Sequence, residues 1–369
     1  MRSFSRLTQS LFGLLGLWML SNSGCSTTPS KPDPSTPEPL VRVVDRRVVM
    51  GVEAIITTWA TSESQARIAT RTAFARMAAL EDSISDYRPR SESMRAIEVV
   101  EERVSISREF ASALALGERW WHLSGGAFDP TIGPLTALWR NARGEGVQPD
   151  SRSIEFAATT VGWEKLRFDD STTPATVTFR TAAMRLDFGG LGKGLAADMG
   201  LEAMREAGLP RTLIDVGGDL VAGSPPPGED GWRVAVRTVE WDQGLVMTIA
   251  EGAVATSGDV EQFIEVEGED GVVRLGHLLD PRTGRPVLIR REATVFISSG
   301  PNSGANADAL ASLVVVVGME EAQRLVGDRF VGKVRLVTAT VDDADGVHAS
   351  DWTVESQCFG SPPAVPSIR

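Results

Sequence analysis

A lysine among glycines is the first feature of this chain that could do chemistry. Residues 186–194 contain four glycines and Lys193, between a predicted strand and a predicted helix. Free backbone N–H groups at the start of such a helix favour an anion. The spacing fits neither a Walker A loop nor a Rossmann GxGxxG loop. A phosphate-binding turn and an ordinary glycine-rich turn with a surface lysine are both compatible with this pattern.

An acidic and a hydroxyl side chain lie four residues apart in an apolar segment. Asp308 and Ser312 would project from one face of the first turn of a helix predicted over residues 306–317. Together with exposed carbonyl groups they form an all-oxygen set, which suits a hard cation such as Mg²⁺ better than zinc. The alternative is an N-terminal capping pair that binds no ion.

His277 is one of three histidines in the chain and falls inside a motif. A predicted strand precedes it and a rigid turn at residues 280–284 follows, so the imidazole would be held as a general base must be. A hydrogen-bonded structural histidine is the alternative. The chain contains no GxSxG elbow and no HExxH motif, which disfavours a serine hydrolase and a zinc protease.

The N-terminal residues predict export and lipid attachment. Two arginines precede an apolar run at residues 11–20, and small residues then lead to Cys25. This pattern is typical of a lipoprotein signal, with Cys25 as the lipidation site. We expect a lipid anchor in the cell envelope, on the outer face of the inner membrane or the periplasmic side of the outer membrane. The predicted regions are a signal peptide at 1–24, the lipidated cysteine and a Pro/Ser/Thr-rich tether at 25–40, a folded domain at 41–362 and a flexible tail at 363–369.

Composition narrows the classes of partner. The formal net charge is −12, so nucleic acid is an unfavourable ligand, and a diphosphate would need local positive charge. The chain has only Cys25 and Cys358, so no disulfide framework is available.

Hydrophobic periodicity predicts the elements that must position these residues. Strands are expected at residues 42–49, 54–59, 176–180 and 184–186, and from residue 165 onward short strands alternate with turns. Such an arrangement, with helices set between antiparallel-type strands, predicts the α+β class. The predicted helices run from a capping box at Ser62 to about Ser85, from Ser107 to the glycines at 125–126, over 195–207 and over 306–317.

Six separated segments contain the motifs just described and three others. They lie at residues 124–135, 186–198, 214–220, 256–259, 277–284 and 306–312. In this order and at these separations they resemble the ApbE family of flavin transferases, over roughly residues 45–355. The resemblance implies a two-lobed unit of mainly antiparallel sheets flanked by helices, with FAD between the lobes. It also implies Mg²⁺-dependent transfer of FMN from FAD to a Ser or Thr of an acceptor flavoprotein subunit, with release of AMP.

The resemblance also implies site residues. For the metal ion these are Asp308, Ser312 and the carbonyl groups of Gly190 and Ala311. Ser312 departs from the usual Thr but keeps the oxygen. Catalysis would fall to His277 and Asp308, and the turn containing Asp219 would shape the floor of the site. The implied FAD contacts are Met50, Tyr87, Ala127, Phe128, Asp129, Asp187, Lys193 and Leu278.

Two other functions are compatible with the same motifs. In one, water replaces the acceptor hydroxyl and the protein hydrolyses FAD to FMN and AMP. In the other, the protein is a lipoprotein that binds FAD without catalysis. The presence of a candidate cation site and a candidate base argues against the second, because a carrier needs neither.

Overall fold

The computed structural model describes residues 39–236, 245–258, 263–268, 271–330, 332–339 and 352–359. The predicted signal peptide, Cys25, nearly all of the tether and the predicted tail lie outside these ranges. Within them, no helix combines the length and the apolar character needed to span a bilayer. The helices are α1 (Glu63–Ile84), α2 (Glu92–Ala96), α3 (Arg108–Ser124), α4 (Gly133–Glu145), α5 (Ser151–Ala158), α6 (Gly192–Glu206), α7 (Ser303–Val317) and α8 (Met319–Val326).

The strands form one large sheet and several small ones. The strands are β1 (Val41–Val49), β2 (Val52–Ala60), β3 (Val104–Ser105), β4 (Leu166–Asp169), β5 (Thr176–Phe179), β6 (Thr212–Val216), β7 (Asp219–Ala222), β8 (Trp232–Val236), β9 (Leu245–Ile249), β10 (Gly252–Gly258), β11 (Phe263–Gly268), β12 (Gly271–Gly276), β13 (Leu279–Asp280), β14 (Arg285–Pro286), β15 (Arg291–Ser298), β16 (Gly332–Ala339) and β17 (Trp352–Phe359). The large sheet has eight strands in the order β1-β2-β6-β7-β10-β15-β16-β17. Each neighbouring pair in it is antiparallel, which confirms the predicted α+β class.

Local sequence signals explain the first two long helices. Ser62 accepts a hydrogen bond from the Gln65 backbone N–H at 3.2 Å and begins α1. Ser107 does the same for the Phe110 N–H at 3.1 Å and begins α3. Gly125 ends α3 with a left-handed φ of 59°, a conformation that favours glycine. These boundaries confirm the predictions.

Other predictions were wrong in part. Residues 184–186 form no strand, and only a single bridge joins Arg185 to Ile132. Helix α4 was not predicted at all. The proline directly after Gly133 is compatible with it, because the first turn of a helix does not need the N–H that proline lacks. Helices α6 and α7 begin three residues earlier than expected, at Gly192 and Ser303.

The hydrophobic core has a main part and two satellites. The main cluster packs helices α1, α3, α6 and α7 on one face of the large sheet. A second cluster covers the other face with the β8–β9 hairpin. The third joins α4 and α5 to the β11–β12 hairpin and forms a smaller lobe. This arrangement confirms the predicted two lobes.

Helices α6 and α7 cross with their backbones in contact. A Cβ added to Gly304 of α7 would lie 2.5 Å from the carbonyl oxygen of Gly194 of α6 and 2.6 Å from Val221. Each helix also supplies a carboxylate to the start of the other. Asp198 of α6 accepts the N–H groups of Gly304 at 2.9 Å and Ala305 at 2.8 Å, and Asp308 of α7 accepts the N–H of Gly194 at 3.2 Å. Glycine at both crossing positions therefore fixes where Asp308 lies.

We expect Gly304→Ala to lower the free energy of unfolding by about 1–3 kcal/mol, because the new methyl group overlaps backbone atoms that have no room to move. Gly144→Ala is the matched control, since a Cβ there meets nothing within 4 Å and should stabilise helix α4 by about 0.5–1 kcal/mol. Urea unfolding of the three proteins measures both effects. Equal stability of the Gly304 variant and the wild type would contradict the close crossing.

Candidate active site

A cavity of about 1280 Å³ is lined by residues of both lobes. It exceeds the roughly 300–1,000 Å³ of a typical small-molecule pocket, so it can hold an extended, dinucleotide-sized ligand. The structure brings most of the predicted site residues to its wall. These are Met50, Tyr87, Ala127, Phe128, Asp129, Asp187, Gly190, Lys193, His277, Leu278, Asp308 and Ser312.

Three charged side chains make up what we call the floor of the cavity: Lys193 and Asp308 line it, and the buried Asp219 pairs with Lys193. Lys193, in the first turn of α6, makes a short ion pair with Asp219 at the start of β7. Asp219 also accepts the N–H of Thr256 at 3.4 Å. Burial acts to lower the pKa of the Lys193 ammonium, but the carboxylates of Asp308 and Asp219 outweigh it and raise that pKa. Lys193 is therefore held in its charged form. The turn containing Asp219 was expected only to shape the floor, and the structure makes its carboxylate the counter-ion of Lys193.

Asp308 differs from its predicted setting. It lies beyond the first turn of α7 and is only 1% exposed, so the expectation that it lies in the first turn of a helix was wrong. The helix begins earlier because Asp198 satisfies its first N–H groups. Burial and the neighbouring Asp219 carboxylate raise the pKa of Asp308 to about 7. Asp308 caps α6 and not its own helix, so the alternative of a capping residue for α7 does not describe it.

The glycine-rich segment starts a helix, as predicted. An anion does lie at this helix start, but it is the Asp308 carboxylate, which takes the Gly194 N–H. Before the helix, Asp187 accepts the N–H of Gly189 at 2.8 Å and so shapes the turn. The positive end of α6 thus stabilises a buried carboxylate of the protein itself.

Oxygen donors gather beside Asp308. Ser312 Oγ lies 3.2 Å from Ser257 Oγ, and a Cβ on Gly190 would lie 3.3 Å from Ser312 Oγ. Ala311 lies inside α7, where its carbonyl belongs to the helical hydrogen-bond ladder and offers only its second lone pair. The described residues hold no cluster of three or more His, Cys, Asp or Glu side chains suited to an ion. One carboxylate with hydroxyl and carbonyl oxygens fits Mg²⁺, which commonly completes its shell with water and substrate phosphates.

The Ala-Phe-Asp step lies in a rigid loop. Ser124 Oγ accepts the Phe128 N–H at 2.8 Å. Asp129 is buried and accepts both the N–H of Thr131 at 2.8 Å and its hydroxyl at 2.7 Å. Burial raises the pKa of Asp129, and the Thr131 hydrogen bonds oppose that shift. These bonds fix the loop that carries Phe128 beside Gly190.

Met50 lies in a strained turn at the cavity wall. It connects β1 to β2 with Gly51, and both residues have positive φ, 53° and 76°. A two-residue hairpin loop requires this conformation, but a side chain such as methionine rarely adopts it. This turn conformation places the Met50 side chain at the cavity, about 4 Å from where a Cβ on Gly192 would lie.

His277 lies between β12 and β13 and is partly buried. The turn after it is rigid, as predicted, because Asp280 binds Arg282 through both carboxylate oxygens at 2.9 and 2.7 Å. Val287 donates to the carbonyl of Leu278 at 2.9 Å. Trp139 of α4 donates to the carbonyl of Gly284 in the same turn at 2.9 Å. The smaller lobe therefore holds the segment next to His277.

Sequence reasoning missed a polar cluster at one side of the cavity. Arg140 of α4 donates to Asp86 at 2.9 Å, lies 3.8 Å from a carboxylate oxygen of Asp187, and has its guanidinium carbon 4.0 Å from the centre of the Tyr87 ring. Burial and the Asp187 carboxylate raise the pKa of Asp86, and Arg140 opposes this. Because α4 was not predicted, no sequence signal placed Arg140 near the other three residues.

Replacement of Lys193 tests whether its positive charge balances the carboxylates of Asp219 and Asp308. We expect Lys193→Met, measured in chelator, to lower the free energy of unfolding by about 3–5 kcal/mol at neutral pH, because two buried carboxylates lose their cation. Without that cation the folded-state pKa of Asp308 rises further above its ordinary value of 3.8, so the folded protein binds the proton more tightly and stability falls as pH increases. The loss should be larger at about pH 8 than at about pH 5.

Urea unfolding at the two pH values measures this difference. Lys333→Met is the matched control, because Lys333 has no salt bridge to a carboxylate among the described residues and its loss should have no such pH dependence. A Lys193 variant with the same stability loss at both pH values would contradict the three-residue floor.

Comparison with known proteins identifies relatives of this chain. The sequence profile of the ApbE family matches residues 50–334. The FAD:protein FMN transferase of Treponema pallidum (strain Nichols) is 30% identical over 218 residues, which span 55% of this chain and 58% of that protein. The FAD:protein FMN transferase of Klebsiella pneumoniae (strain 342) is 26% identical over 322 residues, 86% of this chain and 89% of that protein.

Solved structures share the fold. The flavin transferase ApbE from Vibrio cholerae superposes with a TM-score of 0.69 at 22% identity, covering 87% of this chain and 98% of that chain. The ApbE protein from Thermotoga maritima superposes with a TM-score of 0.68 at 25% identity, covering 81% and 94%. With the profile matched over most of its length, this chain belongs to the ApbE family.

Proposed function

We propose that this protein transfers FMN from FAD to a Ser or Thr hydroxyl of an acceptor flavoprotein subunit and releases AMP. The observation that carries the proposal is the buried floor of Lys193, Asp219 and Asp308 in a cavity of dinucleotide size. Support also comes from the relatives of this chain that are named FAD:protein FMN transferases.

The transfer is a substitution at phosphorus. The acceptor hydroxyl oxygen attacks the phosphorus of the FMN half and forms a new P–O bond. The bond from that phosphorus to the bridging oxygen breaks, and AMP leaves with the electron pair. The hydroxyl proton passes to a base. Lys193, which stays charged beside the diphosphate, favours the negative charge that develops in this step.

The oxygen set on α7 is the proposed Mg²⁺ site. Asp308, Ser312 and the carbonyl groups of Gly190 and Ala311 would hold the ion. Bound there, Mg²⁺ would act as a Lewis acid on the phosphate oxygens. Asp308 is suited to this role because its pKa near 7 reflects an unfavourable buried charge that a cation would relieve.

His277 is the proposed general base. It lines the cavity, and the Asp280–Arg282 pair and the Trp139 contact hold the turn that follows it. Histidine is the residue type whose ordinary pKa lies closest to neutral pH, where a general base works best. Asp308 is the alternative base, and the two assignments give different results on substitution.

The proposed setting is the cell envelope. The signal pattern and Cys25 support a lipid anchor on the outer face of the inner membrane or the periplasmic side of the outer membrane. The acceptor would then be a flavoprotein subunit exposed to the same compartment. Nucleic acid is not a proposed partner, since the chain is acidic.

Intact-mass measurement tests the function directly. After incubation of the protein with FAD, Mg²⁺ and candidate acceptor subunits, we expect the acceptor mass to increase by that of FMN less one water, with AMP released in equal amount. Chelator should abolish both. Asp308→Asn should do the same, because the amide keeps an oxygen for the Gly194 N–H but lacks the charge that binds the ion. FMN and AMP without a modified acceptor would mean hydrolysis, and no AMP at all would mean binding only.

Replacing the proposed base separates catalysis from binding. We expect His277→Ala to reduce the rate of transfer by about 100-fold or more, the usual effect of losing a positioned proton acceptor. FAD affinity should stay within a few-fold, and calorimetry measures it on the same variant. Unchanged maximal rate with weakened binding would make His277 a nucleotide contact and leave Asp308 as the base.

A further inference from the structure

Arg140 makes three contacts that no part of the proposed reaction uses. Its guanidinium donates to Asp86 at 2.9 Å, lies 3.8 Å from Asp187, and covers one face of the Tyr87 ring at 4.0 Å. Arg140 comes from the smaller lobe, whereas Asp86, Tyr87 and Asp187 belong to loops of the main lobe. One side chain therefore joins the two lobes at the cavity wall.

The partners of Arg140 depend on it. Asp86 is buried, and its carboxylate is close enough to that of Asp187 for the two to repel. Arg140 contacts both carboxylates, and Arg185 adds a second positive charge near Asp86. Tyr87 is 73% exposed, so the described residues pack against only a small part of its surface, and the guanidinium covers one face of the ring. Arginine suits this position because a planar guanidinium can stack on a ring and bind carboxylates at its edge at the same time.

The cavity wall has two chemically different parts. Around Arg140 it offers an aromatic face, a phenol and two carboxylates. Elsewhere it offers the apolar side chains of Leu220, Val236 and Val254, which belong to the cluster under the β8–β9 hairpin. Adenosine has an amino group, ring nitrogens and ribose hydroxyls, so it suits the first part. The dimethylbenzene edge of a flavin suits the second.

We propose that Arg140 is a positioning residue that holds Tyr87 and Asp187 in place for the adenosine half of the dinucleotide. This inference rests on the proposed function. A ring already fixed in its binding orientation loses less conformational freedom when a base stacks on it, so the ligand binds more tightly. The free face of Tyr87 receives the purine, and the guanidinium remains on the opposite face.

The affinities for the two halves of FAD, AMP and FMN, distinguish this positioning role from a general structural one. Calorimetry at saturating Mg²⁺ would measure the affinity of wild-type protein and Arg140→Gln for FAD, AMP and FMN. We expect the variant to lose about tenfold in affinity for FAD and AMP, in line with removal of a hydrogen bond to a charged group, and less than about twofold for FMN. A variant that loses FMN affinity as much as AMP affinity, or neither, would overturn the inference.

Four further variants sharpen the test. Arg67→Gln is the matched control, since it removes an arginine from an exposed ion pair with Glu63 on α1 and should leave all three affinities unchanged. Arg140→Lys should recover only part of the AMP affinity, because an ammonium restores the charge without the planar stack. Tyr87→Leu should weaken AMP binding, and Arg140→Gln should then cost little more. Full rescue by lysine, or additive losses in the double variant, would contradict action through the Tyr87 ring.

Failure of the inference and failure of the function give different results. Wild-type protein that binds neither FAD nor AMP would refute the proposed function, and the inference with it. Wild-type protein that binds FAD no more tightly than FMN would overturn the inference alone. The inference alone would also be overturned if the wild type transfers FMN and the Arg140→Gln variant binds AMP as tightly as the wild type does.

Discussion

The contact between Gly194 and Gly304 is the constraint on which the site depends. Because neither residue has a side chain, α6 and α7 approach until each places a carboxylate at the N-terminus of the other. Helix termini expose unpaired N–H groups, and a buried terminus without partners would be costly. Here the two helices satisfy one another, and Asp308 is fixed beneath the glycine-rich turn before any ligand arrives.

This arrangement determines the electrostatics of the floor. Two carboxylates, Asp219 and Asp308, lie together in a buried place, and Lys193 is the side chain that balances them. The balance is incomplete, since Asp308 still has a raised pKa. A buried negative charge that its surroundings do not fully compensate attracts a cation, and the neighbouring hydroxyl and carbonyl oxygens have the character Mg²⁺ prefers. Bound there, the ion that we propose would relieve this uncompensated charge, which otherwise lowers the stability of the fold.

The sequence alone predicted the features that neighbouring residues determine. These are the capping serines of α1 and α3, the glycine that ends α3 and the Asp280 turn. The set of motifs also identified most of the cavity wall. The features that the sequence did not predict depend on contacts between residues far apart in the chain. We predicted Asp308 at the start of a helix because its apolar run begins there. The cap that extends the helix comes from Asp198, over a hundred residues earlier. The contacts of Arg140 were not predicted for the same reason, since its partners lie on other elements.

Two neighbouring residues of α4 contact different parts of the cavity wall. Trp139 donates to the turn that follows His277, and Arg140 stacks on the Tyr87 ring. The two contacts share one helical backbone, so a substitution that displaces α4 would alter both of them. The position of one short helix therefore sets two separate parts of the wall.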